Sequence, residues 1–176
     1  MAKHWRIRPH DPDRIGRLQR SANIPSVVAQ LLICRGISDP TVASEFLDPK
    51  LSDLRDPNLL PGCTDAAKLL HEAIQARRRI VVYGDYDADG MTGTAILQKC
   101  LTLLGADVGY HIPSRLEDGY GLKHEAVRAL AKQNTQMIVT VDCGIASVAE
   151  AHTARELGVD LIVTDHHQPG SELPQA

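Results

Sequence analysis

Aromatic side chains make up only 3% of the 176 residues, with a single Trp and a single Phe. So few rings argue against an extended platform for stacking bases. Long apolar runs are also missing. No stretch approaches the ~20 residues of a membrane-spanning helix, and no apolar signal segment opens the chain. The opening, "MAKHWRIRPHDPDR", is polar and mildly basic, and the expected address is the cytoplasm. Cysteine pairs are absent. Cys34, Cys63, Cys100 and Cys143 lie scattered without a C-x-x-C, which excludes a zinc knuckle and a disulfide framework. A strong charge imbalance is missing too, the net charge being −3. That value does not decide about nucleic acid, because a carboxylate site lowers net charge while the metal that fills it restores positive potential locally. What remains is ordinary for a globular protein: 43% hydrophobic and 23% charged residues, in a length suited to one domain with a small appendage.

From about residue 79 the pattern alternates. β-branched apolar runs occur at "IVVYGDY" from residue 80, at 137–142 ("MIVTVD") and at 161–167 ("LIVTDHH"), with a weaker one at 107–114. Helical patterns occupy 90–104, 122–133 and 147–157 between them. Continuous apolar strands alternating with helices predict an α/β fold, a parallel sheet with helices on both faces. Gly105 and Gly158 stand where a helix ends on a left-handed residue, and Ser147 with Glu150 has the spacing of a capping box. Residues 1–78 read as a helical N-terminal appendage. Its two helices, "SVVAQLLICRGI" and "TDAAKLLHEAIQARRR", are separated by a Pro- and Asp-rich stretch, and the second feeds the first strand. Arg77, Arg78 and Arg79 precede that strand, so they are expected as a solvated helix terminus far from the carboxyl rim. The domain division expected is therefore 1–78 and 79–176.

Ligands of open parallel sheets bind outside the carboxyl ends of the strands. Those ends carry Asp85, Asp87 and Asp89 after the first strand, Arg115 after the second, Asp142 after the third, and Asp165-His166-His167 after the fourth. Aspartates and histidines converging on one rim suit a divalent ion, with manganese or magnesium favoured over a thiolate-loving metal. A calcium loop is excluded because its twelfth position, Ile96, cannot be the bidentate Glu that such a loop requires. A P-loop is excluded for want of Gly-Lys-Ser/Thr. An aspartyl-phosphatase arrangement remains open on Asp85 and Asp87 alone, but leaves Asp142 and the histidine pair without a role. Crowding among the three aspartates predicts that at least one titrates above the usual ~3.9 when no metal is bound.

Taken together, "VVYGDYDADGMTGTA", "IPSRLEDGYGL", "VTVDCGI" and "VTDHHQPG" resemble successive motifs of the DHH phosphoesterase family, whose fold is Rossmann-like. The Arg-x-x-Asp-Gly-Tyr-Gly element is most similar to the family's RecJ-like branch, single-strand-specific 5′-to-3′ DNA exonucleases of repair and recombination. The resemblance implies two manganese or magnesium ions held by Asp87, Asp89, Asp142 and His166, with Asp85 joining them. It implies that Asp142 bridges the ions, that His167 contacts phosphate or moves a proton, and that Asp165 orients its loop. Arg115 is expected on a substrate phosphate; the alternative is a surface pair with Glu117 or Asp118. Single-stranded DNA is the implied partner, and the partner set extends to a single-strand-binding protein but to no membrane. RecJ-like chains are much longer, so the expectation is of an N-terminal portion that lacks a further metal-binding aspartate and a second domain. Two other readings stay open: a DHH hydrolase of cyclic dinucleotides, short oligonucleotides or pyrophosphate, and a non-catalytic DHH scaffold.

Overall fold

The structure, a computed structural model, describes residues 10–176. The polar opening segment up to Pro9 lies outside the described residues. The chain divides into two compact units, Met1–Asp56 and Pro57–Ala176.

In the first unit, α1 (Pro12–Ala22), α2 (Ser26–Cys34) and α3 (Pro40–Leu47) close over a small core of Ile15, Leu18, Ala29, Leu32 and Ala43. Only α2 was expected. The other two were not expected: α1 begins in the opening read only as polar and mildly basic, and α3 falls in the Pro- and Asp-rich stretch. In fact an Asp-Pro pair starts each of them: Asp11 accepts from the Arg14 N–H and Asp39 from the Thr41 and Val42 N–H groups, with Pro at the first helical position. Proline belongs there because its missing N–H would have had no partner within the helix.

The second unit holds α4 (Cys63–Gln75), β1 (Ile80–Gly84), α5 (Ala88–Leu103), β2 (Val108–His111), α6 (His124–Lys132), β3 (Met137–Val141), α7 (Val148–Glu156) and β4 (Asp160–Thr164). All strands are parallel, in the order β2-β1-β3-β4. Side chains alternate across the sheet. Ile80, Val82, Met137, Val139 and Ile162 pack with Ala73 of α4 and Leu101 of α5. Val81, Tyr83, Ile138 and Leu161 pack with Val127 and Leu130 of α6 and Ala151 and Ala154 of α7. Helices therefore cover both faces, as the continuous apolar runs require.

Three expectations change. Helix α4 belongs with the sheet, since Ala66, Leu70, Ala73 and Ile74 pack on it, so the division falls after Asp56 and not after residue 78. The arginine triplet is more than a solvated terminus. Arg78 reaches Asp160 Oδ2 and the Gln136 carbonyl, both at 2.6 Å, and Arg79 pairs with Asp107, so these side chains tie the amino ends of the strands together. The capping box does not form, because the Ser147 hydroxyl caps nothing and Glu150 instead lies 3.3 Å from His124 Nε2. The glycine stops do form. Gly105 and Gly158 have φ of 82° and 68°, and the next N–H returns to Leu101 and Ala154 respectively.

Candidate metal centre

Strand register builds the rim. Gly84 pairs with Val141, and Val141 with Thr164. The next residues in line are Asp85, Asp142 and Asp165, so three carboxylates stand side by side just past the sheet. Backbone bonds continue the ladder one step further, from Asp85 N to the Val141 carbonyl and from Asp142 N to the Thr164 carbonyl. The chain leaves β1 for β2 on one side and returns to β3 on the other. Asp85 and Asp142 thus flank the point where strand order reverses, the usual crevice of an open α/β sheet.

The turn from β1 into α5 is packed backbone on backbone. A Cβ on Gly90 would lie 2.6 Å from the Asp85 carbonyl oxygen. Neither atom belongs to a flexible side chain, so the turn itself must shift to admit it. Gly90→Ala is expected to lower stability by about 1–3 kcal/mol, as other overpacked cores do; a urea unfolding midpoint equal to the unmutated chain's would refute this tight approach.

The turn delivers Asp87 as the N-cap of α5, where its Oδ1 accepts from the Gly90 N–H at 3.1 Å. That N–H first, and Asp89 next, hold the Asp87 carboxyl below the usual range. The carboxyl held high is instead Asp142, by burial first and then by the charges of Asp89 and Asp87, against the pull of His166. Expected repulsion is therefore present, but it falls on the buried member across the crevice and not on Asp87. Asp142 also has φ of +63°, a left-handed backbone that a non-glycine residue adopts at a cost.

Two trios of possible ligands share Asp142. Asp85, Asp87 and Asp142 offer oxygens within 4.8 Å of one another, and Asp142, His166 and His167 offer a second set within the same limit. His166 Nε2 lies 2.8 Å from Asp142 Oδ1 and 3.8 Å from Asp89 Oδ2. Asp89 thus stands beside the second trio without joining either. Asp85 and Asp142 are buried, yet Asp85 Oδ1 and both Asp142 oxygens lack a hydrogen-bond donor; the His166 contact is close but not aligned as a hydrogen bond. Buried carboxylate oxygens left without donors fit a cation. The donor set of several oxygens plus imidazole suits a hard to borderline divalent ion.

His167 is held differently. Its Nδ1 lies 2.7 Å from Asp165 Oδ1, and this contact, first among several, raises its affinity for a proton. Burial alone would raise the Asp165 carboxyl, but N–H groups of Ile145 and His167 and the His167 ring outweigh it and keep the carboxyl low. Asp165 therefore orients loop and ring. Tyr120, which sequence reasoning passed over, also reaches His167 Nδ1, at 3.0 Å, and burial pushes its phenol upward so that it keeps its proton. Its signal was present in the Arg-x-x-Asp-Gly-Tyr-Gly element, from which only Arg115 was singled out. A cavity of about 350 Å³, lined in part by Tyr120, Ile145, Ser147 and His167, opens beside this ring. Arg115 forms no ion pair with Glu117 or Asp118 among the described residues. Its guanidinium stands 5.2 Å from the centre of the Tyr86 ring, on the turn between Asp85 and Asp87, while Asp118 accepts from the Ser114 N–H.

Comparison with known proteins identifies the family. Residues 79–176 match the family described as "DHH family, N-terminal domain". The single-stranded-DNA-specific exonuclease RecJ of Bacillus subtilis is 42% identical over 97% of this chain, which spans 22% of that protein. RecJ of Thermus thermophilus is 51% identical over 74% of this chain, which spans 19% of it. Among solved structures, a crystal structure of exonuclease RecJ bound to manganese superposes with a TM-score of 0.62 at 52% identity, covering 66% of this chain and 30% of that one. Thermus thermophilus RecJ in complex with Mn2+ gives 0.66 at 38% identity, covering 94% of this chain and 23% of that one. With the motifs on adjacent strand ends and the match running through all four, this chain belongs to the DHH family.

Proposed function

We propose that this chain is the metal-binding N-terminal part of a single-strand-specific 5′-to-3′ DNA exonuclease of repair and recombination. The observation that carries the reading is the sharing of buried Asp142 between two ligand trios at the switch point, together with 42% and 51% identity to proteins named single-stranded-DNA-specific exonucleases. Asp85, Asp87 and Asp142 would hold one manganese or magnesium ion. Asp142, with His166 and with Asp89 close by, would hold the other. Bound there, two such ions supply an activated water and neutralise the leaving oxygen of a phosphodiester. The chain's own residues do the rest. Asp142 would serve as a ligand to both ions, Asp165 holds the His167 ring, and His167 contacts phosphate or moves a proton. Arg115, steadied on Tyr86, grips a substrate phosphate. A single-strand-binding protein, which keeps such a substrate open, is the protein partner consistent with this activity, and the cytoplasm the consistent address. Among the described residues no helix is long and apolar enough to cross a membrane.

The test compares substrates in the longer protein that carries this segment. With manganese, a long 5′-phosphorylated single strand is expected to be degraded far faster than a cyclic dinucleotide or pyrophosphate. Preference for either small substrate would replace the exonuclease reading with that of a small-phosphoester hydrolase. No turnover of any of them, in a protein that binds manganese, would favour the scaffold.

A further inference from the structure

Tyr120 comes to the rim from the loop between β2 and α6 and touches two strand ends at once. Its hydroxyl donates to the Asp142 backbone carbonyl at 3.3 Å and lies 3.0 Å from His167 Nδ1. Its ring meets the His167 ring edge-on, with centroids 5.4 Å apart. The same Nδ1 lies 2.7 Å from Asp165 Oδ1, and Asp165 is itself fixed by N–H groups of Ile145 and His167. The loop that carries Tyr120 is anchored from below, where the buried Tyr83 hydroxyl donates to the Gly121 carbonyl.

One arrangement of protons satisfies every contact. A carboxylate and a carbonyl accept hydrogen bonds and do not donate them. Asp165 therefore requires the proton on His167 Nδ1. The Asp142 carbonyl takes the single proton of Tyr120, whose oxygen then turns a lone pair toward the Nδ1–H. In the neutral ring this leaves Nε2 as the unprotonated nitrogen. Asp142 meanwhile gains a side-chain partner for its main chain at the residue whose left-handed backbone needs support.

We infer that Tyr120 is a positioning residue, a latch that ties the Asp142 main chain to the His167 ring and so fixes both the shared ligand and the free nitrogen of His167. The inference rests on the reading of this rim as a metal centre, and it assigns Tyr120 no contact with metal or substrate. Groups that orient metal ligands typically change metal affinity by 10–100-fold when removed.

Tyr120→Phe deletes the hydroxyl and keeps the ring, so it tests the latch without opening the packing. In the metal-free chain with 15N-labelled histidine, at a pH above the imidazole range, NMR is expected to find His167 protonated at Nδ1. In Tyr120→Phe that proton should exchange faster with water, and manganese affinity, read by calorimetry, should fall about tenfold. A His167 protonated at Nε2 in the unmutated chain would overturn the inference. So would a Tyr120→Phe chain whose histidine spectrum and manganese affinity both match the unmutated one. Asp165→Asn gives the second check and should weaken the Nδ1–H signal further. If the unmutated chain takes up no manganese, the metal reading fails by itself, and the metal-free spectrum alone decides on the latch.

Discussion

Asp142→Asn is expected to abolish stabilisation by manganese while making the metal-free chain more stable at neutral pH. A ligand that binds only the native state contributes about 2.7 kcal/mol at a hundredfold excess over its dissociation constant. In a unit of this size that raises the melting temperature by on the order of 8 °C. Asp142 contributes to both trios, so its loss should cancel nearly all of this gain. The metal-free effect has the opposite sign. Burial, and then Asp89 and Asp87, push the Asp142 carboxyl above its unfolded value, so folding favours the protonated form. The associated stability is fully present below the usual carboxylate pKa of ~3.9 and is lost as pH rises through the higher folded value. Asn mimics the protonated form at every pH. Its advantage should therefore be absent in acid and fully developed at neutral pH. Thermal melts of both chains across that range, with and without manganese, measure both effects. An unmutated chain whose melting temperature ignores saturating manganese would sink the metal centre. A metal-free Asn variant less stable than its parent at neutral pH would make Asp142 a structural carboxylate.

Arg115→Lys is expected to weaken binding of 5′-phosphorylated single strands by about 10–100-fold, measured in the longer protein, and of 5′-hydroxyl strands by much less. A guanidinium offers two parallel hydrogen bonds to a phosphate, which an ammonium cannot copy, and charged hydrogen bonds contribute about 1.5–3 kcal/mol. Arg115 is exposed, and its guanidinium rests near the ring of Tyr86, inside the aspartate turn, without an ion pair to Glu117 or Asp118 among the described residues. This leaves its guanidinium without an ion pair among those residues, next to the turn that carries Asp85 and Asp87. Manganese affinity should stay put, because Arg115 supplies no ligand atom. Equal losses on both strands would make Arg115 a general backbone contact, and no loss on either would return it to the surface.

Much of this was legible in one dimension because parallel sheets bury both faces of their strands. Ile80, Val82, Met137 and Ile162 face one pair of helices, Val81, Tyr83, Ile138 and Leu161 the other, and so the strands read as unbroken apolar runs. Parallel direction then puts every strand's carboxyl end on one side, which is why Asp85, Asp142 and the Asp165-His166-His167 segment could be placed on a common rim. The errors have equally local causes. Asp11-Pro12 and Asp39-Pro40 look like breaks unless one knows that the aspartate faces a helix and not a loop. Ser147 and Glu150 had the right spacing for a cap, but the nearby His124 engages Glu150 instead.

The sequence by itself determined which residues are apolar at which period, and thereby the β-α alternation, the common rim and the identity of the groups on it. Only the tertiary structure decided how those groups divide. Register across β1, β3 and β4 makes Asp142 the shared member of both trios and leaves Asp89 at the margin. Burial, which depends on the packed surroundings, is the first cause that raises the Asp142 carboxyl, with the charges of Asp89 and Asp87 second. Tyr120 joins Asp142 to His167 across 22 and 47 residues of chain, a relation that no spacing rule contains. Periodicity is a property of neighbours along the chain, whereas charge, hydrogen bonding and metal geometry act between neighbours in space.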